Sequence, residues 1–221
     1  CTVFQHDAVD STSIANNIAH SIMADGKGRI WIGTRSGLSY YNEEKDRFIN
    51  FEYLKDGQRQ EFLRIVEADP DHLLLITKRA LILFDIQENS FKEISLPHIE
   101  GSMLFSMLMK QDGIIYVGAR EGLFTYSLTE SKLSLICGPF NKRLVNTVWK
   151  SADDCLWVGT EGEGLYKINP LTGEMKNYRH IPYNERSLAS NYVRALRLDE
   201  QNRLWVGTFE ALSIYDEEND S

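Results

Sequence analysis

The chain has too few cysteines to staple itself. Its three, Cys1, Cys137 and Cys155, are odd in number and have no metal-ligand spacing, so neither a disulfide framework nor a zinc site is expected. They read as small apolar fillers or surface thiols. Cys1 has one sharper alternative, a lipid-modified mature N-terminus. The repeat-like residues directly after it argue against that. Also missing is any apolar run near the roughly 20 residues that a membrane helix needs, so this region is expected to make no membrane contact. A basic surplus is absent too: 24 Lys and Arg stand against 32 Asp and Glu, a formal charge of −8. That balance is poor for gripping phosphates, and nucleic acid is not an expected partner. A neutral, polar or cationic partner fits better, although a local patch can override the total. The sequence begins without an initiator Met or a signal peptide and reads as a piece of a longer protein.

What the sequence has is a repeat. Trp31-Ile32-Gly33-Thr34 recurs as Trp157-Val158-Gly159-Thr160 and Trp205-Val206-Gly207-Thr208, in worn form as Tyr116-Val117-Gly118-Ala119, and without aromatic or glycine as Leu74-Leu75-Ile76-Thr77. The copies begin at residues 31, 74, 116, 157 and 205, in steps of 43, 42, 41 and 48. A period near forty signals repeated supersecondary units that bury their apolar faces on one another. With 43% hydrophobic residues, a sizeable core is affordable.

Each unit reads as four short strands joined by tight turns. In the first, strands are expected at 18–24, 30–34, 38–41 and 48–53. Asp25-Gly26-Lys27-Gly28, Arg35-Ser36-Gly37 and the charged stretch 42–47 supply the turns between them. The same order places units at about 18–53, 62–94, 103–136, 145–179 and 192–216. Residues 4–25 match 178–199 at a constant offset of 174. Residues 2–6 are therefore expected to be an outer fourth strand, and the fifth unit has three strands. Four-stranded sheets repeated about an axis make a β-propeller. The expected fold is one all-β propeller domain over residues 1–221, either a closed five-blade ring or an arc of a seven-bladed propeller. In a closed ring, residues 2–6 would lie alongside 212–216.

The motif read from Val193, Leu196, Asp199, Asn202, Leu204 to Thr208, Leu212, Tyr215 and Asp216 resembles the two-component regulator propeller repeat. The linker Tyr178-Arg179-His180 followed by Ser187-Leu188-Ala189-Ser190-Asn191 resembles the segment before such repeats in the sensors of Bacteroides-type bacteria. The match is strong in units one, four and five, fair in unit three and degenerate in unit two. The resemblance implies the periplasmic, extracytoplasmic part of a hybrid histidine kinase. In that family two seven-bladed propellers and a β-sandwich precede a membrane helix, a kinase and a DNA-binding regulator. It also implies a response to oligosaccharides released from glycans, with the rest of the sensor and a second copy as partners. This chain departs from the family in having five units and neither sandwich nor kinase.

The shared residues are expected to build the scaffold. The three Trp should be core between blades rather than sugar platforms. Gly33, Gly118, Gly159 and Gly207 should permit close sheet packing. Asp25, Asp69, Asp112, Asp153 and Asp199 should cap turns. Calcium would need acidic ligands at alternating loop positions, which are absent, so no metal or cofactor is expected. Function should lie in the variable residues on one face of the blades. These are the loops between second and third strands, giving Arg35, Arg79, Arg120, Glu161, Glu163, Phe209 and Glu210, and the starts of the first strands, giving His20, Arg64, Asn146 and Arg194. Polar groups with one aromatic suit a hydroxyl-rich or anionic sugar, and Arg can bind carboxylate or sulfate through two bonds. His6 and His180 occupy equivalent positions and read as linker residues. His72 and His98 fall in turns with no evident partner. A binding module without catalysis is the leading expectation. The alternatives are a glycosidase or lyase, which for a glycosidase requires two carboxylates facing one bond, and a protein-interaction scaffold.

Overall fold

The structure, a computed structural model, describes residues 2–94, 105–138 and 140–216. Cys1, His98 and the beginning of the strand expected from Met103 lie outside the described residues. The chain divides into two compact units, Cys1–Lys110 and Gln111–Ser221.

The first sheet is β1 Ala19–Ala24, β2 Ile30–Thr34, β3 Gly37–Asn42 and β4 Arg47–Phe51, paired in that order and antiparallel throughout. A small hairpin follows, β5 Leu54–Lys55 and β6 Gln58–Arg59. It turns on Asp56 and Gly57, both at positive φ, the backbone that an Asp-Gly hairpin turn requires. The second sheet is β7 Arg64–Asp69, β8 His72–Ile76, β9 Leu81–Asp85 and β10 Ser90–Glu93. A third has the order β11 Phe105–Gln111, β12 Ile114–Ala119, β13 Gly122–Ser127 and β14 Lys132–Cys137. The fourth is β15 Val145–Lys150, β16 Leu156–Thr160, β17 Leu165–Ile168 and β18 Met175–Tyr178. The fifth has three strands, β19 Val193–Leu198, β20 Leu204–Thr208 and β21 Leu212–Ile214. The all-β, four-strand repeat is therefore as expected.

Residues 2–6 carry no strand. Their counterparts reach into β18, which has β17 as a ladder partner. Residues 2–6 are instead anchored by a side chain: the Phe4 ring lies 5.1 Å from Tyr41 and 5.2 Å from Phe48.

The middle strands are buried on both faces, which explains their near-continuous apolar runs. In β2, Trp31 joins a core with Phe62, Ile65, Leu73, Leu75 and Phe84 of the second repeat. Ile32, on the other face, packs with Ile14 and Phe48. Likewise Trp157 of the fourth sheet packs with Val193, Leu196, Leu204 and Val206 of the fifth. The tryptophans at 31 and 157 are core between neighbouring sheets, whereas Trp205 is half-buried. Gly33 lies where a Cβ would come within 2.7 Å of the Phe62 carbonyl oxygen. At Gly159 it would meet Val193 Cγ1 at 2.5 Å, but at Gly207 the nearest atom is an ordinary 3.5 Å away.

The turn before β2 is held by a carboxylate clasp. Asp25 Oδ1 accepts the backbone N–H of Lys27 and Arg29. Its Oδ2 accepts Arg29 Nε at 2.6 Å and the Trp31 indole N–H at 2.9 Å. Asp199 repeats this with Gln201, Arg203 and Trp205, the indole bond being 2.8 Å. In both copies the guanidinium also lies over the indole ring, at 5.5 and 5.7 Å. In the fourth sheet Lys167 of β17 takes that place, 3.1 Å from Asp153 and 5.3 Å above Trp157. Asp69 accepts from Asp71 N–H and the His72 ring, so His72, which opens β8, has a partner after all. Asp112 departs from the capping expectation. It is itself at positive φ beside Gly113 and forms the two-residue turn instead of bracing one.

Burial pushes the Asp25 carboxyl up, but its bonds to Trp31, Arg29 and Lys27 outweigh that and hold it below the usual range. For Asp199 the Trp205 indole is the largest influence, and the carboxyl is drawn down to about 2. The folded form therefore takes up protons less readily than the unfolded chain, whose Asp titrates near ~3.9. The clasps stabilise fully above that value and release their contribution as pH falls towards 2. Acid titration followed by circular dichroism should show stability falling across this window. Asp199→Asn should flatten the slope. Asp25→Ala, which orphans the buried indole N–H of Trp31, should cost about 2–4 kcal/mol by denaturant unfolding. Gly33→Ala should cost about 1–3 kcal/mol through backbone displacement. Gly207→Ala should leave the melting temperature unchanged or slightly raised.

Candidate functional site

Four of the sheets bring the loop after their second strand beside the start of their first. Arg35 N–H donates to the Ile18 carbonyl, Leu63 N–H to that of Ile76, Glu161 N–H to that of Leu144 and Phe209 N–H to that of Tyr192, at 2.8 to 3.0 Å. The same ends of consecutive sheets are stitched together. Phe62 N–H bonds the Thr34 carbonyl, Phe105 N–H that of Lys78, and the N–H groups of Gly162 and Gly164 share that of Asn191. The variable residues chosen from sequence thus lie at one end of their own sheets, on a backbone frame that repeats.

In the first unit, His20 lies on β1 with Nε2 3.5 Å from the Glu61 carboxylate, and Lys78 binds the other oxygen of Glu61 at 3.1 Å. The His20 Nε2 atom is buried without a hydrogen-bond partner. Arg35, Arg64 and Arg79 are exposed, and the Arg64 guanidinium donates to the Leu63 carbonyl. Sequence reasoning missed Glu61, which links His20 to Lys78. A lone Glu in a connecting stretch carries no pattern that would have marked it.

In the second unit, Arg120 is exposed. Asn146 spends its side-chain N–H on the Val193 carbonyl at 3.0 Å. Glu163 is held by Arg179 at 2.7 Å with only 12% of its side chain exposed, and its backbone carbonyl accepts from Asn177. Glu161 bridges to Tyr192 through the backbone. Arg194 and Glu210 face solvent. Phe209 is 72% exposed and Tyr192 44%, their rings 6.5 Å apart at 59°. Tyr192 was not among the residues picked from sequence, although it lies just before β19, where the first-strand set was collected. Arg64 and Arg79 therefore stand in one unit and Arg194, Phe209 and Glu210 in the other.

The paired histidines are structural. His6 Nδ1 is 2.8 Å from the Ile14 carbonyl and its N–H donates to Asn17; His180 repeats both with Leu188 and Asn191. Cys137 and Cys155 are free thiols, and burial pushes the Cys137 thiol up to about 11. Among the described residues no three His, Cys, Asp or Glu side chains cluster as a metal site would, and no helix is long and apolar enough to cross a membrane.

The two-component regulator propeller model matches residues 13–36 and 187–210, the same stretch of the first and fifth repeats. A curated relative, Histidine kinase P4 of Formosa agariphila, is 26% identical over 194 residues, covering 80% of this chain and 14% of that protein. The chain thus spans a small part of the relative it matches. Among solved structures, the extracellular domain assigned to the hybrid two-component system BT3049 of B. thetaiotaomicron superposes with a TM-score of 0.77. It is 20% identical, over 96% of this chain and 28% of that one. Virginiamycin B lyase of Staphylococcus aureus shares the fold at a TM-score of 0.67 and 11% identity, over 90% of this chain and 67% of the lyase. The repeated sheets are thus propeller blades, and two stretches of the chain, in its first and fifth repeats, match the two-component regulator propeller repeat.

Proposed function

We propose that this chain is part of the extracytoplasmic sensory region of a hybrid two-component histidine kinase, and that it reads a glycan-derived oligosaccharide without transforming it. The repeat family and the likeness to a histidine kinase support the sensory role. The observation that carries the choice of ligand is the exposed Tyr192–Phe209 pair beside Arg194 and Glu210. Exposed aromatic rings offer an apolar face to the C–H side of a sugar ring, and the tyrosine hydroxyl adds a polar handle. Arg194 can bind a hydroxyl, or a carboxylate or sulfate on an anionic sugar. A ligand that favours one conformation of this region over another would pass to the kinase elsewhere in the protein as a population shift, the remainder of the sensor and a second copy being its partners. The enzymatic alternative rests on fold-level likeness to a lyase, and fold does not carry function by itself.

Oligosaccharides from a panel of digested polysaccharides should be titrated by calorimetry and thermal shift. At least one should raise the melting temperature saturably, with no new reducing or unsaturated ends. Phe209→Ala and Tyr192→Ala should each weaken that binding roughly tenfold while leaving the ligand-free melting temperature unchanged. Turnover, or unimpaired binding by both variants, would sink this reading.

A further inference from the structure

At one end of the first unit the charge balance of the chain is reversed. The whole sequence carries a formal charge of −8. Here Arg35, Arg64, Lys78 and Arg79 are exposed cations, and Glu61 is the carboxylate bonded among them. Among the described residues none of these three arginines has a carboxylate partner. Elsewhere Arg29, Arg59, Arg179 and Arg203 are each held by a carboxylate at 2.6 or 2.7 Å.

The backbone gathers these side chains. Phe62 N–H on the Thr34 carbonyl sets Glu61 against the end of β2, next to Arg35. Arg64 pairs in register with Ile76. The turn that follows is closed by Thr77 Oγ1, which accepts the N–H groups of Arg79 and Ala80, and it presents Lys78 and Arg79. His20 is the bulged residue of β1, where the register slips between Ala19 and Ser21. A bulge re-aims a side chain, and here it brings Nε2 to 3.5 Å from Glu61. Asn146 occupies the same bulge in β15 and also reaches to the next sheet, at the Val193 carbonyl. Glu61 thus has one oxygen on Lys78 and the other facing His20, with 27% of its side chain still open to solvent.

This arrangement makes two demands on a ligand. Unpaired guanidinium groups call for a planar oxyanion, which Arg binds through two parallel bonds. The carboxylate set among them repels a ligand that is anionic throughout, but it has lone pairs left to accept hydroxyl hydrogens. A molecule that carries isolated anionic groups between hydroxyls meets both. We propose that this end of the first unit is a binding site for an acidic saccharide. Arg64 and Arg79 hold a carboxylate or sulfate of the sugar, and Glu61 accepts hydroxyls of the neighbouring ring. Lys78 and His20 position Glu61, which is the specificity element: it admits a hydroxyl-bearing anion and rejects a dense polyanion. The site shares with the sensory reading only the saccharide nature of the ligand, because Tyr192 and Phe209 lie in the other unit.

The test titrates the protein by calorimetry with a uronic-acid trisaccharide and a sulfated disaccharide. The methyl ester of the first and the desulfated form of the second keep the hydroxyls without the charge. A hexa-aspartate peptide keeps the charge without the hydroxyls. At least one acidic sugar should bind saturably, roughly tenfold or more tighter than its neutral form and than the peptide. The double variant Arg64→Ala, Arg79→Ala should lose that preference while keeping the wild-type melting temperature. Glu61→Gln should weaken the acidic sugar and strengthen the peptide, a reversal that mere loss of structure would not give. Phe209→Ala should leave binding of the acidic sugar intact. The proposal is overturned if neither acidic sugar binds, or if the neutral forms or the peptide bind as tightly. It is also overturned if Phe209→Ala abolishes binding and the double arginine variant does not, a result that would leave the second-unit site standing.

Discussion

One carboxylate sets the geometry on which the rest depends. Asp25, 6% exposed, would be costly to bury alone. It is tolerated because two backbone N–H groups, a guanidinium and an indole all point at it. Those four bonds fix the turn between β1 and β2, and they fix the rotamer of Trp31. A tryptophan aimed in this way reaches across to Phe84 and Phe51 and becomes shared core for two sheets. Turn chemistry, electrostatics and inter-sheet packing thus meet in one side chain. The fourth sheet keeps the logic with different parts, since Lys167 comes from the third strand instead of the turn.

Much of this was legible in the sequence because it repeats. The Trp and Gly of each second strand recur at a near-constant step, and the strands they predict match those observed to within a residue or two. The clasp was legible too. Asp25, Arg29 and Trp31 have the spacing of Asp199, Arg203 and Trp205, but the aspartates read simply as turn caps. The β5–β6 hairpin carried its own signal in Asp56-Gly57, hidden by extending the preceding strand to Tyr53 when the ladder ends at Phe51. Asp112 failed because neighbouring sequence decides whether an aspartate braces a turn or forms it. With Gly113 next to it, it adopts the left-handed backbone.

The candidate site was less legible, for a physical reason. The backbone frame that presents Arg35, Arg79 and Phe209 is repetitive, so position could be read. What each side chain does there depends on non-repeating neighbours. Asn146 is turned to a carbonyl 47 residues away, Glu163 to an arginine of the following linker, and His20 to a glutamate from another connection. None of these pairings has a period, and Tyr192 gained its meaning only when Phe209 was seen beside it.

The linkers 4–17 and 178–191 share the bonds that shape them, among them those of the histidine ring, the asparagine cap and the serine that closes the loop. Each holds its own shape through local bonds and then locks onto the sheet that follows it. The natural seam of this architecture therefore lies ahead of the histidine, in the last strand of the previous blade, not midway between sheets. Anyone grafting one blade into another protein should cut there, so that the linker travels with the sheet it organises.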